Sequence, residues 1–487
     1  MNGPVVVVHK FGGTSVADVG CFARVAGIVA RHSEPNVRPV VVVSAMSGVT
    51  DALIYGARRA AGGDPTDPST ILADLEQRHT QVAAELLEEN ERAAFEIHLR
   101  ERLNGLRRLY DSLAVLGELT PRSRDAVMGY GEQLSAGLLA GVLRSKQLDA
   151  TALNATALIV TDDRFGIASP QMEPTRERIQ QQVVPLVGTG VIPVITGYIA
   201  ATEDGIPTTL GRSGSDRTAA IVAAGLDADD VWIWTDVDGI LTADPHLVAE
   251  ARTLEELSYE EAANLARFGA EVLHPRTIQP VIRNGIPLRI LNSYRPERPG
   301  TRIVAEPTAD RHTSPAIVST TGMRLLAVGD GDEARRLPTA AQTLSRLSEA
   351  GIDVRMFSQA LCDSSLCFVV REQDHDHIQA ILRRGPHDAD ANGSLTVHSE
   401  EDVAIVSVIG GPGGDRREVS SSAFAALGRH EVRVIAVTQA VLGDSVSFCI
   451  PASRVHDTVC FLHRELGLAR ASLPNRRTDD DATQGGT

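Results

Sequence analysis

The chain has 487 residues, and its 47 lysines and arginines against 63 aspartates and glutamates leave a formal net charge of −16. This excess of acid argues against a nucleic-acid partner or an anionic lipid surface, because both require a clustered basic face. The longest apolar stretch near the middle, Val183 to Thr196, is broken by prolines and glycines and cannot be a membrane span of about 20 residues. The first residues lack the pattern of a secretory signal. We therefore expect a cytoplasmic protein of about two to four domains.

Through residues 1–305, short β-rich apolar runs alternate with helical patterns, which is typical of an α/β domain with a mostly parallel sheet covered by helices. The runs are Val5–Val8, Val40–Val43, Ile192–Thr196, Val231–Thr235 and Leu288–Leu291. Between residues 69 and 119, leucines recur on helical faces, which predicts a helical insert. A polar stretch with two prolines at residues 306–322 predicts a linker.

From Met323 onward the pattern becomes strand, helix, strand, strand, helix, and the same order begins again near Asp402. We therefore predict two small α+β modules, at residues 323–399 and 400–470, followed by a polar, disordered tail at 471–487. The modules share a repeat at an offset of 80 residues, in which Gln359 matches Gln439 and Phe368 matches Phe448. Such a repeat indicates duplicated modules.

The most informative motif is Lys10-Phe-Gly-Gly-Thr-Ser15, where a strand turns into a helix. Backbone N–H groups at such a turn can bind an anion. Lysine occurs only at Lys10 and Lys146, and a compact ammonium beside this loop suits a transferring phosphoryl group. The alternative is an ordinary glycine turn with a Ser or Thr cap, because the loop is neither a Walker A motif nor a G-x-G-x-x-G motif.

Two further motifs lie close to strand ends. The loop Thr208-Thr-Leu-Gly-Arg-Ser-Gly-Ser-Asp216 precedes an apolar helix and contains an arginine able to hold a carboxylate through two hydrogen bonds. The alternative makes Ser215 or Asp216 a helix cap and Arg212 a surface charge. The segment Trp232-Ile-Trp-Thr-Asp-Val-Asp-Gly239 ends a strand with acids that either meet a nucleotide or form Asx turns.

Weaker signals occur elsewhere in the chain. Ser44-Ala-Met-Ser-Gly-Val-Thr50 is another polar strand-to-helix turn, and Gly129-Tyr-Gly-Glu132 places an acid at the head of an apolar helix. We interpret Asp374-His-Asp-His377 as a helix cap rather than a metal cluster, and Gly410-Gly-Pro-Gly-Gly414 as a flexible turn. No zinc motif or nucleophile elbow is present.

Four motifs together resemble those of the aspartokinases, over nearly the whole chain. In order, they are Lys10-Phe-Gly-Gly-Thr-Ser15, Gly211-Arg-Ser-Gly-Ser-Asp216, Trp234-Thr-Asp-Val-Asp-Gly239 and Phe268-Gly-Ala-Glu-Val-Leu-His-Pro275. The resemblance implies an amino-acid-kinase-like αβα sandwich followed by two ACT-like modules. It implies transfer of the γ-phosphoryl group of MgATP to the β-carboxylate of L-aspartate, giving 4-phospho-L-aspartate, the first step of lysine, threonine and methionine biosynthesis.

The resemblance also implies the partners. They are L-aspartate, ATP as a substrate with Mg²⁺, and an amino-acid effector, lysine or threonine, with the ACT-like modules pairing between subunits of a homo-oligomer. Because the chain ends after the modules, we expect a monofunctional enzyme without a fused homoserine dehydrogenase.

Carried over residue by residue, the resemblance assigns Lys10 and Asp216 to catalysis. Arg212 is implied to hold the α-carboxylate of aspartate and Glu132 its α-ammonium. The full implied substrate set is Ser44, Thr50, Glu132, Arg212 and Ser213. The implied nucleotide set is Lys10, Gly12, Gly13, Thr14, Ser15, Thr235, Asp236, Leu241, Glu271 and Val272. The implied effector residues are Gln359, Ser365 and Gln439, and no protein metal ligand is implied.

This sequence departs from the family pattern at a few positions. Relatives often have lysine where this chain has Glu271, and tyrosine and arginine where it has Leu241 and His246. Arg355 stands where many relatives have an acidic or amide residue near the effector. Two alternatives therefore stay open: a kinase of the same fold acting on another carboxylate, and an amino-acid sensor without turnover.

Overall fold

The structure is a computed structural model that describes residues 3–63, 66–268, 275–308, 314–329, 336–359, 366–383, 396–410, 416–439 and 445–469. The chain divides into two compact units. The first unit comprises Met1–Ile240 and Thr253–Thr313, and the second comprises Leu241–Arg252 and Ser314–Thr487. None of the described helices is long and apolar enough to cross a membrane.

The first unit is built on a sheet of eight strands in the order β3-β5-β2-β1-β8-β10-β11-β9, parallel except for the β10–β11 pair. Its strands are β1 (Val5–Phe11), β2 (Val37–Val43), β3 (Ala150–Leu153), β5 (Ile192–Thr196), β8 (Asp230–Thr235), β9 (Glu256–Ser258), β10 (Leu288–Asn292) and β11 (Thr301–Val304). A small second sheet contains β4 (Val160–Thr161), β6 (Ile199–Thr202) and β7 (Pro207–Thr209).

Eleven helices are described in the first unit. They are α1 (Val19–Arg31), α2 (Val49–Ala61), α3 (Thr66–Leu86), α4 (Glu89–Leu116), α5 (Pro121–Met128), α6 (Tyr130–Ser145), α7 (Met172–Gln182), α8 (Val184–Thr189), α9 (Gly214–Leu226), α10 (Tyr259–Phe268) and α11 (Pro275–Asn284). Short 3₁₀ turns occur at Gly13–Val16 and Ala155–Ala157. Helices α3 and α4 fill the segment predicted to be helical.

The run Val40–Val43 of the central strand β2 is apolar and buried because both faces of the sheet are covered. Val41 and Val43 belong to the core cluster shared with α1, α2, α4 and α6, and their neighbours Val40 and Val42 are equally buried outside that cluster. Successive side chains of a strand point to opposite faces of the sheet. Because these consecutive valines are all buried, helices must cover both faces. Helix α9, which packs with α7 and α11, also contacts β1 and β8. The predicted α/β sandwich is confirmed.

The second unit contains one antiparallel sheet of six strands in the order β13-β14-β12-β15-β17-β16. Its strands are β12 (Ala316–Gly329), β13 (Met356–Gln359), β14 (Leu366–Arg371), β15 (Thr396–Ile409), β16 (Ala436–Gln439) and β17 (Ser445–Pro451). Its helices are α12 (Arg336–Glu349), α13 (His375–Arg383), α14 (Arg416–Arg429) and α15 (Val455–Glu465), with 3₁₀ turns at Glu372–Asp374 and Ala452–Arg454. The predicted strand–helix–strand–strand–helix order occurs twice, and the two copies join through β12 and β15.

Strand β12 begins at Ala316, inside the stretch predicted to be a linker. The segment Leu241–Arg252, which the sequence placed inside the first domain, belongs to the second unit. The physical reason is burial, since Ala243 and Val248 are part of the apolar core that contains Phe448. Within the second unit, the Thr242 hydroxyl also lies 2.9 Å from His463 Nε2 of α15.

Candidate active site

The Lys10 side chain, near the carboxyl end of β1, meets the first turn of α9. Lys10 Nζ lies 2.6 Å from Asp216 Oδ1, and the two side chains are only 12% and 11% exposed. A Cβ at Gly12 would lie 3.2 Å from Lys10 Nζ, so glycine lets the backbone pass close to the ammonium. The structure therefore joins two motifs that are far apart in sequence, and it holds a positive charge beside the turn at Gly13–Val16.

A cavity of about 750 Å³ opens where β1, β2 and β8 end. The carboxyl ends of parallel strands are the usual position for ligands in α/β sheets. Most of the residues predicted to act in catalysis or to bind substrate or nucleotide line this one cavity: Lys10, Gly12, Gly13, Thr14, Ser44, Thr50, Glu132, Arg212, Ser213, Asp216 and Thr235. Their side chains come from five separate segments, which only the folded chain brings together.

Glu132 is the buried acid of the cavity. It lies in the first turn of α6 and is 3% exposed, and its Oε2 has no hydrogen-bond partner among the described residues. Burial raises the pKa of Glu132 to about 8, although backbone hydrogen bonds from Glu132 and Ala45 favour the ionised form. A buried carboxyl with an unused acceptor is suited to receive a cation such as an ammonium group.

Arg212 lies in a loop whose backbone conformation is unusual on both sides. Gly211 has a φ of +78° and Ser213 a φ of +55°, so left-handed residues flank the arginine. Gly214 begins α9 directly against Tyr198, whose ring occupies the space that a Cβ would need. The loop thus presents the Arg212 guanidinium on the cavity that Glu132 also lines. Groups of opposite charge, suited to the carboxylate and the ammonium of an amino acid, therefore line one cavity.

The profile of the amino acid kinase family matches residues 5–292, which is more than half of the chain. The chain belongs to the amino acid kinase family. Lysine-sensitive aspartokinase 3 of Escherichia coli is 30% identical over 466 residues, covering 95% of this chain and 99% of that protein, so the aspartokinase resemblance is confirmed.

The similarity extends to the folded structure. The crystal structure of E. coli aspartokinase III in complex with aspartate and ADP has a TM-score of 0.76 and 28% identity, and the match covers 95% of this chain and all of that chain (100%). Bifunctional aspartokinase/homoserine dehydrogenase 1 of Arabidopsis thaliana is 33% identical over 473 residues, covering 96% of this chain but 51% of that protein. The chain thus spans about half the length of such bifunctional plant relatives.

In this chain, hydrogen bonds connect the turn after β8 to the end of β10. The backbone N–H and the hydroxyl of Ser293 both donate to the Thr235 carbonyl, at 2.8 and 3.0 Å. Asn292 Nδ2 donates to Asp238 Oδ1 at 2.6 Å. These bonds hold Thr235 on the cavity wall at a fixed position.

Three residues predicted to bind the nucleotide do not line the cavity. The Ser15 side chain is buried, and its hydroxyl donates to Ser293 Oγ at 3.0 Å, so it connects the turn at Gly13–Val16 to the end of β10. Asp236 is exposed and accepts a hydrogen bond from the Thr235 hydroxyl. Leu241 belongs to the second unit.

Other predicted positions lie in the second unit or outside the described residues. Gln359 is the last residue of β13, and Gln439 ends β16 with its side-chain amide donating to Ser420 Oγ at 3.3 Å. Glu271, Val272, Ser365, residues 411–414 and residues 471–487 fall outside the residues that the structure describes. The nucleotide, effector and tail predictions that rest on them stay predictions.

The sequence analysis missed several groups that line the cavity. Arg58 belongs to a stripe of α2 with Thr50 and Ile54, and the four-residue spacing of these three positions is a signal that the sequence already contained. Arg124 of α5 and Tyr198 had no such signal, because neither belongs to a recognisable motif. The cavity therefore carries more positive charge than the sequence predicted.

In the part of the chain that the structure describes, no group of three or more histidine, cysteine, aspartate or glutamate side chains is placed to hold a metal ion. The segment Asp374–His377 lies where a 3₁₀ turn passes into α13, and Asp376 is fully exposed.

Proposed function

We propose that this chain is an aspartate kinase that transfers the γ-phosphoryl group of MgATP to the β-carboxylate of L-aspartate, giving 4-phospho-L-aspartate. One observation carries the proposal. The Lys10–Asp216 ion pair lines the same cavity as Arg212 and Glu132, so a group suited to phosphoryl transfer and two groups suited to an α-amino acid share one space. The aspartate and ADP in the related E. coli structure support this choice of substrates.

The division of roles follows from the charges. Arg212 holds the α-carboxylate through two hydrogen bonds, and Glu132 in its ionised form accepts from the α-ammonium. These two contacts leave the β-carboxylate directed toward Lys10. Thr50 and Ser44, which follow β2 on the same wall, supply further hydrogen bonds to the bound amino acid.

The transfer itself needs no general base, because the attacking β-carboxylate is already ionised at neutral pH. A carboxylate oxygen attacks the γ-phosphorus, the bond between phosphorus and the β–γ bridging oxygen breaks, and ADP leaves with that electron pair. Lys10 stabilises the charge that develops on the transferring group, and Asp216 keeps the ammonium in place. Mg²⁺ enters with the phosphates of ATP as part of the substrate and neutralises part of their charge.

Regulation and assembly belong to the proposal as well. We place the kinase domain at 1–305, with its insert near 69–119, except that Leu241–Arg252 belongs to the second unit. The linker predicted at 306–322 is followed by two ACT-like modules predicted at 323–399 and 400–470, and the first strand of the first module begins earlier, at Ala316. The modules pair between subunits of a homo-oligomer and bind an amino-acid effector that favours one of two states of the enzyme. Lysine is the first effector to test, because E. coli aspartokinase III was solved with lysine and aspartate in its T-state and matches this chain with a TM-score of 0.77 and 28% identity. We place the protein in the cytoplasm, in lysine, threonine and methionine biosynthesis, with no nucleic-acid or membrane partner.

Hydroxylamine trapping tests the reaction directly, because it converts an acyl phosphate into a coloured hydroxamate. The full chain is incubated with MgATP and either L-aspartate or L-glutamate, with and without L-lysine or L-threonine. We expect hydroxamate with MgATP and L-aspartate and none with MgATP and L-glutamate. Lys10→Met should lower kcat by about 10²- to 10³-fold, which is the usual loss for one group that stabilises transition-state charge.

The same assay separates the alternatives. Hydroxamate with glutamate and not with aspartate would indicate a kinase of the same fold with another carboxylate substrate. If neither amino acid gives hydroxamate but calorimetry shows that aspartate binds, the protein is an amino-acid sensor without turnover and not a kinase. In that case Lys10→Met would leave the response to ligand intact.

A further inference from the structure

Asp125 on α5 is a buried acid that the proposed chemistry leaves unused. This carboxylate is 1% exposed and does not line the cavity. Burial raises the pKa of Asp125, while hydrogen bonds from Gly166 and Thr209 and the charge of Arg124 act in the opposite direction. Burying a carboxylate costs free energy unless its oxygens accept hydrogen bonds, so the bonds that Asp125 accepts are what keep it in this position.

The Asp125 carboxylate connects two segments beside the Arg212 loop. Its Oδ2 accepts from the backbone N–H of Gly166 at 2.7 Å and from that of Thr209 at 2.9 Å. Its Oδ1 accepts from the Thr209 hydroxyl at 3.0 Å. Three charge-assisted hydrogen bonds to one buried carboxylate make this a rigid junction.

Both partners bear on the position of Arg212. Thr209 is the last residue of β7 and precedes the arginine by three residues. Gly166 forms the surface on which the loop rests, since a Cβ on Gly211 would lie 3.2 Å from the Gly166 carbonyl oxygen. The left-handed residues Gly211 and Ser213 lie between β7 and α9 and belong to none of the strands that the structure describes. The loop is therefore held in place from its two sides.

We infer that Asp125 is a positioning residue for the amino-acid substrate: it fixes the Thr209 and Gly166 segments so that Arg212 meets the α-carboxylate. This inference rests on the proposed function. Asp125 acts through Arg212 and not on the reacting atoms. A displacement of the arginine by a fraction of an ångström is expensive for a bidentate contact, and about 1 Å of misplacement can cost roughly 100-fold in rate.

Three variants test the inference through the KM values for the two substrates, measured separately. Asp125→Ala should raise the KM for L-aspartate by roughly tenfold or more while the KM for MgATP changes by less than about twofold. Asp125→Asn should recover most of the loss, because an amide oxygen at the Oδ2 position still accepts both N–H groups. Thr209→Val removes the hydroxyl bond to Asp125, and with it the hydroxyl's hydrogen bond with Tyr198, but keeps the backbone bond to Asp125, and it should raise the KM for aspartate by about threefold.

The neighbouring Thr208 provides a matched control. Its hydroxyl lies 2.7 Å from that of Thr161 and is buried in the same strand, whereas the described hydrogen bonds to Asp125 come from Gly166 and Thr209. Thr208→Val should therefore lower thermal stability about as much as Thr209→Val without changing the KM for aspartate. If Thr208→Val and Thr209→Val raise that KM equally, or if Asp125→Ala raises both KM values together, Asp125 has only a structural role and the inference is wrong.

The wild-type assay distinguishes a failure of the proposed function from a failure of the role inferred for Asp125. A wild type that neither phosphorylates nor binds L-aspartate would overturn the proposed function and the inference with it. If the wild type is active and the aspartate KM is unchanged in Thr209→Val, and in Asp125→Ala wherever that variant folds, the inference alone is wrong. Because Thr209→Val is a mild change, this second arm holds even if Asp125→Ala fails to fold.

Discussion

Replacing Glu132 with glutamine should remove a pH dependence from the proposed reaction. With a pKa of about 8 in the free protein, Glu132 is about one-tenth ionised at pH 7 and about half ionised at pH 8. Since only the carboxylate attracts the α-ammonium of aspartate, kcat/KM for aspartate should rise about fivefold between these pH values in the wild type. Glutamine should flatten this rise and lower kcat/KM at pH 8 by at least about tenfold, the loss of one charge-assisted hydrogen bond.

At the pH where Glu132→Gln lowers activity, it should raise the stability of the folded protein. The folded-state pKa of Glu132 lies above its ordinary value of 4.5, so the folded protein retains a proton that the unfolded chain releases. Stability is therefore lost as the pH rises from about 4.5 to about 8, by roughly 4 kcal/mol from this one group. Glu132→Gln should abolish that loss, so the variant should gain stability relative to the wild type as the pH rises.

Urea unfolding followed by tryptophan fluorescence measures this difference. Both tryptophans of the chain, Trp232 and Trp234, lie in β8, so their emission reports on the first unit. The exposed Glu76 on α3 is the matched control, and Glu76→Gln should show no such trend. Parallel pH profiles for the wild type and Glu132→Gln, in stability and in kcat/KM, would refute the reasoning.

Three more predictions concern the substrate loop and the buried histidines. Arg212→Lys should raise the KM for aspartate about tenfold with little change in the KM for MgATP, because an ammonium cannot make the bidentate contact. Steady-state kinetics in which both KM values rise together would contradict this. Gly214→Ala should lower the unfolding midpoint and weaken aspartate binding because no room exists for its Cβ, whereas Gly188→Ala, with nothing within 4 Å, should have little effect on either. Burial lowers the pKa of His9 to about 3 and that of His79 to about 4. The free energy of unfolding should therefore fall as the pH drops below about 6.5, by roughly 2 kcal/mol per histidine at pH 5. If His79→Gln loses as much stability in acid as the wild type does, this prediction is wrong.

The sequence alone determined the order and type of most elements. The continuous apolar run of β1 predicts a strand buried on both faces, and the glycines after Lys10 predict a tight turn, because both signals are local. The charges of Lys10 and Arg212 likewise indicated their chemistry before any contact was known, whereas the role of Glu132 was implied only by the resemblance to the aspartokinases. Ser15 shows the limit of such reasoning, since the resemblance placed it among the nucleotide-binding residues, whereas its hydroxyl makes the buried bond to Ser293.

Tertiary structure decided what depends on distance through space. Asp125 has no motif of its own, and its three hydrogen bonds exist only because α5, the turn at Gly166 and the end of β7 meet. The segment Leu241–Arg252 reads as part of the first domain but belongs to the second unit, because its apolar residues are buried in that core. Local propensity acts over a few residues, whereas burial and hydrogen bonding depend on which distant segments the fold brings together, and no single stretch of sequence contains that information.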